Sequence, residues 1–186
     1  MRSIAHESDG YAPGLPMTRA NGALPSSAQR VVDALAAAGL KPKVVLTSES
    51  TRTAQEAAKV LGVEVAQIAK SLIFRGTQSG RAVLVVAAGD NRVDPAKVSQ
   101  IFGERVERAD ADFVRTITGF AIGGVAPVAH AGPVLAVCDV TLARFHVVWA
   151  AAGTPHAVFS INPQDLFRLV GGVPADVRVD SDVGSR

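Results

Sequence analysis

The sequence is poor in cysteine and lacks long hydrophobic runs, and both shortages narrow the class of protein. Cys138 is the one cysteine among 186 residues, which excludes an intramolecular disulfide framework and a multi-cysteine zinc site. A single cysteine also favours a reducing compartment. No apolar run reaches the roughly 18 residues of a membrane-spanning helix, and the first nine residues lack the apolar segment of a signal peptide. We therefore expect a cytoplasmic protein with no membrane partner.

Common catalytic motifs are absent as well. The chain has no Gly-x-x-x-x-Gly-Lys-Ser/Thr phosphate loop, no Gly-x-Ser-x-Gly nucleophile elbow and no His-Glu-x-x-His metal motif. Cys138 lies in an apolar run, which favours a buried, inert thiol over a reactive one. No pair at helical metal-ligand spacing occurs among the four histidines, which are His6, His130, His146 and His156.

Charge is distributed unevenly, although the formal net charge is only +2. Thirteen of the 19 basic residues lie between Arg30 and Arg115. Residues 116–167 contain only three charged side chains, those of Asp139, Arg144 and Asp165. The small positive excess tolerates an RNA partner without requiring one. We expect the charge-poor stretch to form either core or pocket wall.

The length and the apolar content predict one domain with a tail at each end. Residues 1–25 are rich in Gly, Pro, Ser and Ala without sustained periodicity, and they are interpreted as a flexible N-terminal tail. The domain is predicted to span residues 26–173. The polar residues 174–186 are interpreted as a C-terminal tail.

Short helices alternate with closely spaced strands along the predicted domain. Ser26-x-x-Gln29 and Thr53-x-x-Glu56 fit capping boxes at helix starts, and residues 76–80 fit a hairpin loop. This pattern predicts an α/β (mixed α+β) fold with a mixed sheet and helices around it. Strands are predicted at 43–47, 72–75, 82–88, 134–138, 146–150 and 157–161, and further helices begin at Asp94-Pro95, Asp110 and Asn162-Pro163.

Lys70 is the first candidate for chemistry. It is one of five lysines against 14 arginines, and it lies where a short helical stretch is predicted to run into a strand. An ammonium held among apolar neighbours can orient an anion or polarise a carbonyl. The alternative is a lysine whose ammonium reaches solvent from the end of a strand. The residues alone leave both interpretations open.

A glycine-rich loop at residues 118–127 is the second candidate. Gly119, Gly123 and Gly124 can adopt positive φ and permit close backbone approach. Exposed N–H groups of such a loop can line a carbonyl or phosphate site. An ordinary connection between two elements is the alternative.

The third candidate is the segment at residues 149–156. It is predicted to be a strand that breaks at Gly153 into a tight turn carrying Thr154 and His156. A turn with so little bulk can admit a ligand and present backbone amides with one imidazole. A plain hairpin turn with an exposed histidine is the alternative, and the same two interpretations apply to His130.

These segments, taken in order, resemble the YbaK family, which includes the editing domain of bacterial prolyl-tRNA synthetase and its free-standing relatives. The resemblance covers residues 26–173 and depends on the order and spacing of several motifs. Those motifs are Gln67-Ile68-Ala69-Lys70-Ser71-Leu72, Thr118-Gly119-Phe120-Ala121-Ile122-Gly123-Gly124-Val125-Ala126-Pro127, Ala152-Gly153 and Ile161-Asn162-Pro163-Gln164-Asp165-Leu166.

The resemblance implies a mixed, barrel-like sheet and hydrolysis of the ester in wrongly charged aminoacyl-tRNA. The implied substrate is tRNA for proline carrying a small amino acid such as alanine or cysteine, bound by its acceptor end, and no metal or organic cofactor is implied. An association with prolyl-tRNA synthetase and the oligomeric state are left open. The family's lysine falls on Lys70, its glycine loop on Gly119, Gly123 and Gly124, and the glycine of its later loop on Gly153.

An aminoacyl ester is already activated, so a positioned water can replace a protein nucleophile. In this hypothesis Lys70 orients the acceptor end, and backbone amides near Gly123, Gly124 and Gly153 meet the developing oxyanion. Further substrate contacts are expected from Thr118, Gly119, Phe120, His130, Thr154 and His156. Candidate phosphate contacts are Arg52, Arg75, Arg81 and Arg92.

One departure from the family pattern bears on specificity. Many relatives have Ser-Gly-Gly where this chain has Ala151-Ala152-Gly153, and these alanines favour a small, apolar side chain on the substrate. The same departure keeps a second hypothesis open, in which the chain is a non-catalytic module that binds a tRNA end or a nucleotide.

Overall fold

The computed structural model describes residues 17–19, 24–41 and 43–180. The helices are α1 Ser26–Ala37, α2 Ala54–Leu61, α3 Pro95–Phe102, α4 Ala111–Thr118 and α5 Pro163–Val170, with short 3-10 turns at Val65–Gln67 and Val140–Arg144. The strands are β1 Met17–Arg19, β2 Lys43–Thr47, β3 Ile68–Gly76, β4 Ala82–Ala88, β5 Val106–Arg108, β6 Val134–Asp139, β7 Val148–Thr154, β8 Ala157–Ile161 and β9 Val173–Ala175.

All of these strands join one mixed sheet in the order β1-β2-β8-β7-β3-β4-β6-β9, with β5 paired to β3. The β3–β7, β4–β6 and β6–β9 pairs are parallel, and the others are antiparallel. The predicted mixed sheet with surrounding helices is therefore confirmed. The sheet is open, because its end strands β1 and β9 do not pair with each other in the described part of the chain.

The edge of β3 that faces β7 is only partly paired. β3 meets β7 at two positions, Ile68 with Trp149 and Ala69 with Ala150. The same edge is next paired at Phe74–Gly76, where β5 joins. Between these contacts, residues 70–72 have no strand partner on this edge in the described structure, whereas the carbonyl of Ile73 accepts from the backbone N–H of Ala109 at 3.1 Å. The sheet thus opens directly after Ala69, and Lys70 lies at the opening.

β4 is buried on both of its faces and forms the centre of the core. Leu84, Val86 and Ala88 face the larger core with α1 and α5, whereas Val83 and Val85 face a second cluster with α3, as the alternation of a strand requires. Cys138 lies in the larger core with no exposed surface. Burial raises the pKa of its thiol to about 12, in agreement with the predicted inert cysteine.

Local capping signals account for most helix starts. The Thr53 side chain and the Glu56 side chain form the predicted reciprocal capping box of α2, and Asp94, Asp110 and Asn162 cap α3, α4 and α5. The predicted capping box at Ser26 is wrong. Ser26 is already inside the helix because Pro25 occupies the N-cap, and no side chain caps this end.

Parts of both predicted tails belong to the sheet. Most of residues 1–25 lie outside the described residues, but Met17–Arg19 pair antiparallel with β2. The C-terminal tail was predicted to begin at residue 174, and this boundary is too early. Residues 173–175 pair with β6, and Val177 has no exposed surface. Val177 belongs to the second core cluster and Ala175 packs against it, so the chain stays on the core as far as Val177.

None of the helices in the described part of the chain has both the length and the apolarity needed to cross a bilayer.

Candidate active site

A cavity of about 230 Å³ occupies the place where β3 and β7 separate. Its floor comes from the two strands and its walls from α2 and the glycine loop. Apolar side chains dominate the lining. The residues involved are Thr51, Arg52, Thr53, Ala54, Ala57, Leu61, Ile68, Ala69, Lys70, Ser71, Leu72, Ile122, Gly123, Val125, Trp149, Ala150, Ala151 and Val158.

Lys70 is the cationic side chain that β3 contributes to this cavity. It is the third residue of β3, rather than a residue at the junction of helix and strand as predicted. Its Nζ donates hydrogen bonds to the backbone carbonyl of Gly89, at 3.2 Å, and to that of Asn91. Burial lowers the pKa of Lys70 from its usual value, Asp90 opposes that shift, and Arg108 adds to it. The two hydrogen bonds hold the ammonium at a fixed point.

The two carbonyls that hold Lys70 belong to residues 89–91, which we call the carbonyl loop. The amide side chain of Asn91 donates to Oδ2 of Asp139 and to Oγ1 of Thr141, both at 2.7 Å. Asp139 has no exposed surface. It also accepts from the backbone N–H of Ala88 and from both the N–H and the hydroxyl of Thr141. A satisfied polar network thus lies behind the lysine.

The rim of the cavity is formed by Arg52, Ile122 and Gly123. Gly123 has a φ of +91°, and a Cβ built on it would lie 2.4 Å from Cγ of Arg52. Only glycine fits this approach of the loop to the arginine. Ile122 is 56% exposed, so an apolar side chain borders the opening beside a guanidinium.

The backbone N–H of Gly124 was predicted to meet the developing oxyanion, but it already donates to the carbonyl of Ala121 at 3.0 Å. This bond closes the turn that carries Gly123. A Cβ on Gly124 would lie 2.8 Å from Cα of Thr154, so this glycine lets the loop pack on the end of β7. The Oγ1 of Thr154 accepts from the backbone N–H of His156, an exposed turn residue.

A second group of predicted site residues lies together away from the cavity lining. The Thr118 hydroxyl is fully buried and donates to the carbonyl of Val114. Arg30 donates to the carbonyl of Thr118 and stacks on the ring of Phe120 with its guanidinium carbon 4.5 Å from the ring centre. Gly119 ends α4 and approaches Arg30, and a Cβ on Gly153 would lie 2.8 Å from the carbonyl of Ser27.

His130 belongs to this second group. Its Nε2 lies 2.8 Å from the carbonyl of Ala126 and therefore carries the proton, and its ring meets Phe120 edge to face. Burial lowers the pKa of His130, the bond to Ala126 opposes the shift, and Arg30 adds to it. The structure thus places this second group of residues where α1 packs against the end of α4 and the glycine loop that follows it.

The four candidate arginines divide between the two ends of β3. Arg52 lines the cavity and Arg92 directly follows the carbonyl loop. Arg75 stacks on Phe113 and Arg81 stacks on Phe102, with guanidinium carbons 5.1 and 5.7 Å from the ring centres. At about 3.3 Å per residue along a strand, Arg75 lies about 17 Å from Lys70.

A family profile described as "Aminoacyl-tRNA editing domain" matches residues 48–169, which contain the whole cavity lining. The chain belongs to the aminoacyl-tRNA editing domain family. The uncharacterized protein YwhH of Bacillus subtilis is 38% identical over 117 residues, which cover 63% of this chain and 74% of YwhH.

Two further proteins are similar to this chain in sequence or structure. A solved structure described as that of a proposed trans-editing enzyme for prolyl tRNA synthetase is 45% identical, with a TM-score of 0.80. The match covers 85% of this chain and all of the other. The proline–tRNA ligase of Pelotomaculum thermopropionicum is 29% identical over 141 residues, which cover 75% of this chain and 24% of the ligase. This chain therefore corresponds to about a quarter of that ligase.

Sequence reasoning missed several residues of this editing domain's cavity and of the polar network behind Lys70. Leu61 gives no signal apart from its apolar character, whereas Trp149 begins the candidate segment 149–156 but was given no role of its own. Asn91 and Asp139 are far from Lys70 in sequence, although Asp139 was visible as one of three charges in a charge-poor stretch. Arg52 was identified only as a possible phosphate contact without a position. Within the described residues, no group of three or more His, Cys, Asp or Glu side chains could hold a metal ion.

Proposed function

We propose that this chain is a trans-editing hydrolase that deacylates mischarged aminoacyl-tRNA, with tRNA for proline carrying alanine or cysteine as the substrate. The observation that carries the proposal is Lys70, a half-buried cation fixed at a small, mostly apolar cavity in an editing-domain fold. The solved structure described as that of a proposed trans-editing enzyme for prolyl tRNA synthetase, whose full length this chain covers, supports action in trans.

The reaction needs no protein nucleophile. Water adds to the carbonyl carbon of the aminoacyl ester, and the carbonyl oxygen becomes an oxyanion. Collapse of this intermediate breaks the bond between that carbon and the ribose oxygen. The proton lost by the water ends on the ribose oxygen, and the neighbouring ribose hydroxyl can relay it. The products are a free amino acid and an uncharged tRNA.

The chain's own groups orient the ester for this attack. An ammonium has three N–H donors, and two of those on Lys70 are taken by the carbonyl loop. The third is available to the acceptor end or to the oxyanion, in a position that costs no reorganisation during the reaction. The unpaired edge of β3 beside Lys70 and the amide of Gly123 are backbone candidates for further donors, because both belong to the cavity lining. The amide of Gly124 is already used in its turn.

The lining of the cavity supports a small, apolar side chain on the substrate. Ala54, Ala57, Ala69, Ala150 and Ala151 contribute apolar surface to this cavity of about 230 Å³. Trp149 and Leu72 close the remaining sides with apolar surface. We infer that alanine, with the smallest side chain of the amino acids considered, is accepted better than cysteine or serine, because apolar side chains dominate the lining.

The decisive experiment is a deacylation panel on tRNA for proline charged with alanine, cysteine, serine or proline. We expect hydrolysis of the alanyl ester and little hydrolysis of the prolyl ester. Lys70→Ala should lower the rate at least about 100-fold, as loss of an oriented electrostatic group does. Lys41→Ala, which removes an exposed lysine and changes the net charge equally, is the matched control.

Two outcomes would contradict the proposal in different ways. Full turnover by Lys70→Ala would show that the lysine has no part in the mechanism. No turnover by the wild-type protein on any of the four esters, with binding to the acceptor end retained, would support the non-catalytic module instead.

A further inference from the structure

We propose that Asn91 is a positioning residue for Lys70, whose ammonium it holds through its own backbone carbonyl while its side chain is clamped to Asp139 and Thr141. This inference rests on the proposed deacylase function, because it assigns Asn91 a part in the rate of that reaction. Asn91 itself lies outside the cavity lining and acts only through Lys70.

The first step of the argument is the way in which the lysine is held. Lys70 Nζ donates to the carbonyls of Gly89 and Asn91, and both belong to the carbonyl loop. A backbone carbonyl moves with its loop. The place of the ammonium therefore depends on whatever fixes residues 89–91, and not on Lys70 alone.

The second step is the way in which the loop is fixed. Its first residue, Gly89, is packed so closely that a Cβ there would lie 2.2 Å from the carbonyl of Val65. At its other end, the backbone N–H of Asn91 donates to the carbonyl of Ala88 at 3.0 Å. Both hydrogens of the Asn91 amide are used at 2.7 Å, one by Asp139 and one by Thr141.

The third step is the rigidity of the partners. Asp139 has no exposed surface, and its Oδ1 accepts both the N–H and the hydroxyl hydrogen of Thr141. The Thr141 hydroxyl therefore donates to Asp139 while it accepts from Asn91, which closes a ring of three side chains. A closed ring of hydrogen bonds of this kind holds its three members in one arrangement.

The carbonyl loop sets the direction of the third N–H of Lys70. Because the loop holds the other two N–H groups, its position determines where the third one points, and a shift of the loop changes that direction. A displacement of about 1 Å in a reacting geometry can cost on the order of 100-fold in rate. Removing the Asn91 side chain leaves Lys70 chemically intact but frees its carbonyl partner.

Asn91→Ala and the milder Thr141→Val test this role, with Arg144→Ala as the control. Arg144 anchors the same loop from outside through an exposed ion pair with Asp90, and such pairs contribute little. We expect Asn91→Ala to lower kcat about 10- to 100-fold with KM for the charged tRNA within twofold of wild type. Thr141→Val should give a smaller loss of kcat, and Arg144→Ala should stay within twofold.

A second measurement reports on Lys70 without using activity. Trace acetylation of each lysine at one fixed pH at which the protein is folded, followed by mass spectrometry, reports the access of reagent to each amine. We expect the Lys70 rate to rise at least threefold in Asn91→Ala, while the rate of the exposed Lys59 is unchanged. This arm decides the positioning even if no ester is hydrolysed by the wild-type protein, which would overturn the proposed function alone.

The inference is overturned if the Lys70 labelling rate in folded Asn91→Ala equals that of wild type. It is also overturned if Asn91→Ala is as active as wild type. Equal losses of kcat in Asn91→Ala and Arg144→Ala would show a general loosening of the loop, and would likewise remove the specific role of Asn91.

Discussion

At the scale of single residues, two N–H groups of Lys70 already donate to the backbone carbonyls of Gly89 and Asn91. An exposed lysine would lose side-chain entropy each time it engaged a substrate. Lys70 has lost that freedom on folding, and burial has lowered its pKa against the opposing charge of Asp90. An ammonium in this state is suited to orient an ester, because it does not have to reorganise.

Gly123 offers a residue-scale prediction with a close control in Gly103. The two have almost the same φ, +91° and +88°, but only Gly123 faces a neighbour, Cγ of Arg52, within 4 Å of an added Cβ. Gly123→Ala and Gly103→Ala should each lose about 1–2 kcal/mol of stability from the left-handed backbone. Only Gly123→Ala should lower deacylation several-fold, because its methyl group displaces Arg52 from the rim.

Urea denaturation measures the two stability losses, and single-turnover hydrolysis measures the two activities. If Gly103→Ala lost as much activity as Gly123→Ala, backbone strain alone would explain the effect and the rim would have no part in it.

The glycines also show what a sequence can and cannot reveal about a site. Positive φ was considered for Gly119, Gly123 and Gly124; the structure has it at Gly119 and Gly123 but not at Gly124, and it has it at Gly153 as well. The residue type does not reveal which neighbour fills the space of the missing side chain. That neighbour is Arg52 at the cavity for Gly123, but Ser27 and Phe120 in the packing of α1 for Gly153.

At the scale of elements, the N-terminus of α2 connects local structure to the cavity. Thr53 caps the helix through the N–H of Glu56, and Arg52 at the rim directly precedes it. Thr53→Ala should lose about 1 kcal/mol of stability. It should also weaken deacylation, because Arg52 then precedes a helix end without its cap and is held less firmly at the rim.

Asn162→Ala is the control for this prediction. Asn162 caps α5 through the N–H of Gln164, outside the cavity lining, so its loss should lower the free energy of unfolding by a similar amount without changing the rate. Thermal unfolding and single-turnover hydrolysis separate the two effects. Equal losses of rate in both variants would assign the effect to stability.

The helix starts were predictable because a cap depends on residues three positions apart. Ser26 fits the same pattern as Thr53, but Pro25 takes the N-cap and prevents the box. β7 was predicted at 146–150 and runs instead from Val148 to Thr154, through a register shift against β8. The parting of β3 from β7, which creates the cavity, depends on two residues 81 positions apart in the chain, Ile68 and Trp149, and no local pattern encodes it.

At the scale of the whole molecule, the cavity is built from both halves of the chain. The charge-poor stretch was expected to be core or pocket wall, and it is both. It contributes Trp149, Ala150 and Gly123 to the lining and Phe120 and Phe159 to the core. The lysine and the rim arginine come from the basic half. The uneven distribution of charge thus places cations at the edge of an apolar cavity.

This arrangement predicts which arginines bind the RNA. Arg52 lines the cavity and Arg92 directly follows the carbonyl loop, whereas Arg75 and Arg81 are stacked on aromatic rings at the far end of the β3–β4 hairpin. Arg52→Ala and Arg92→Ala should each weaken tRNA binding. Each should also reduce the slope of log affinity against log salt by about 1, the value for one lost phosphate contact.

Arg75→Ala and Arg81→Ala carry the same change of net charge and serve as matched controls. Their salt slopes should equal that of wild type, because a global loss of one positive charge acts weakly beyond the Debye length of about 8–10 Å. Binding of tRNA measured across a salt series provides all five slopes. If the four variants behaved alike, the RNA would be held by the overall charge of the molecule, and the acceptor end would not be guided to the cavity by the arginines at its edge.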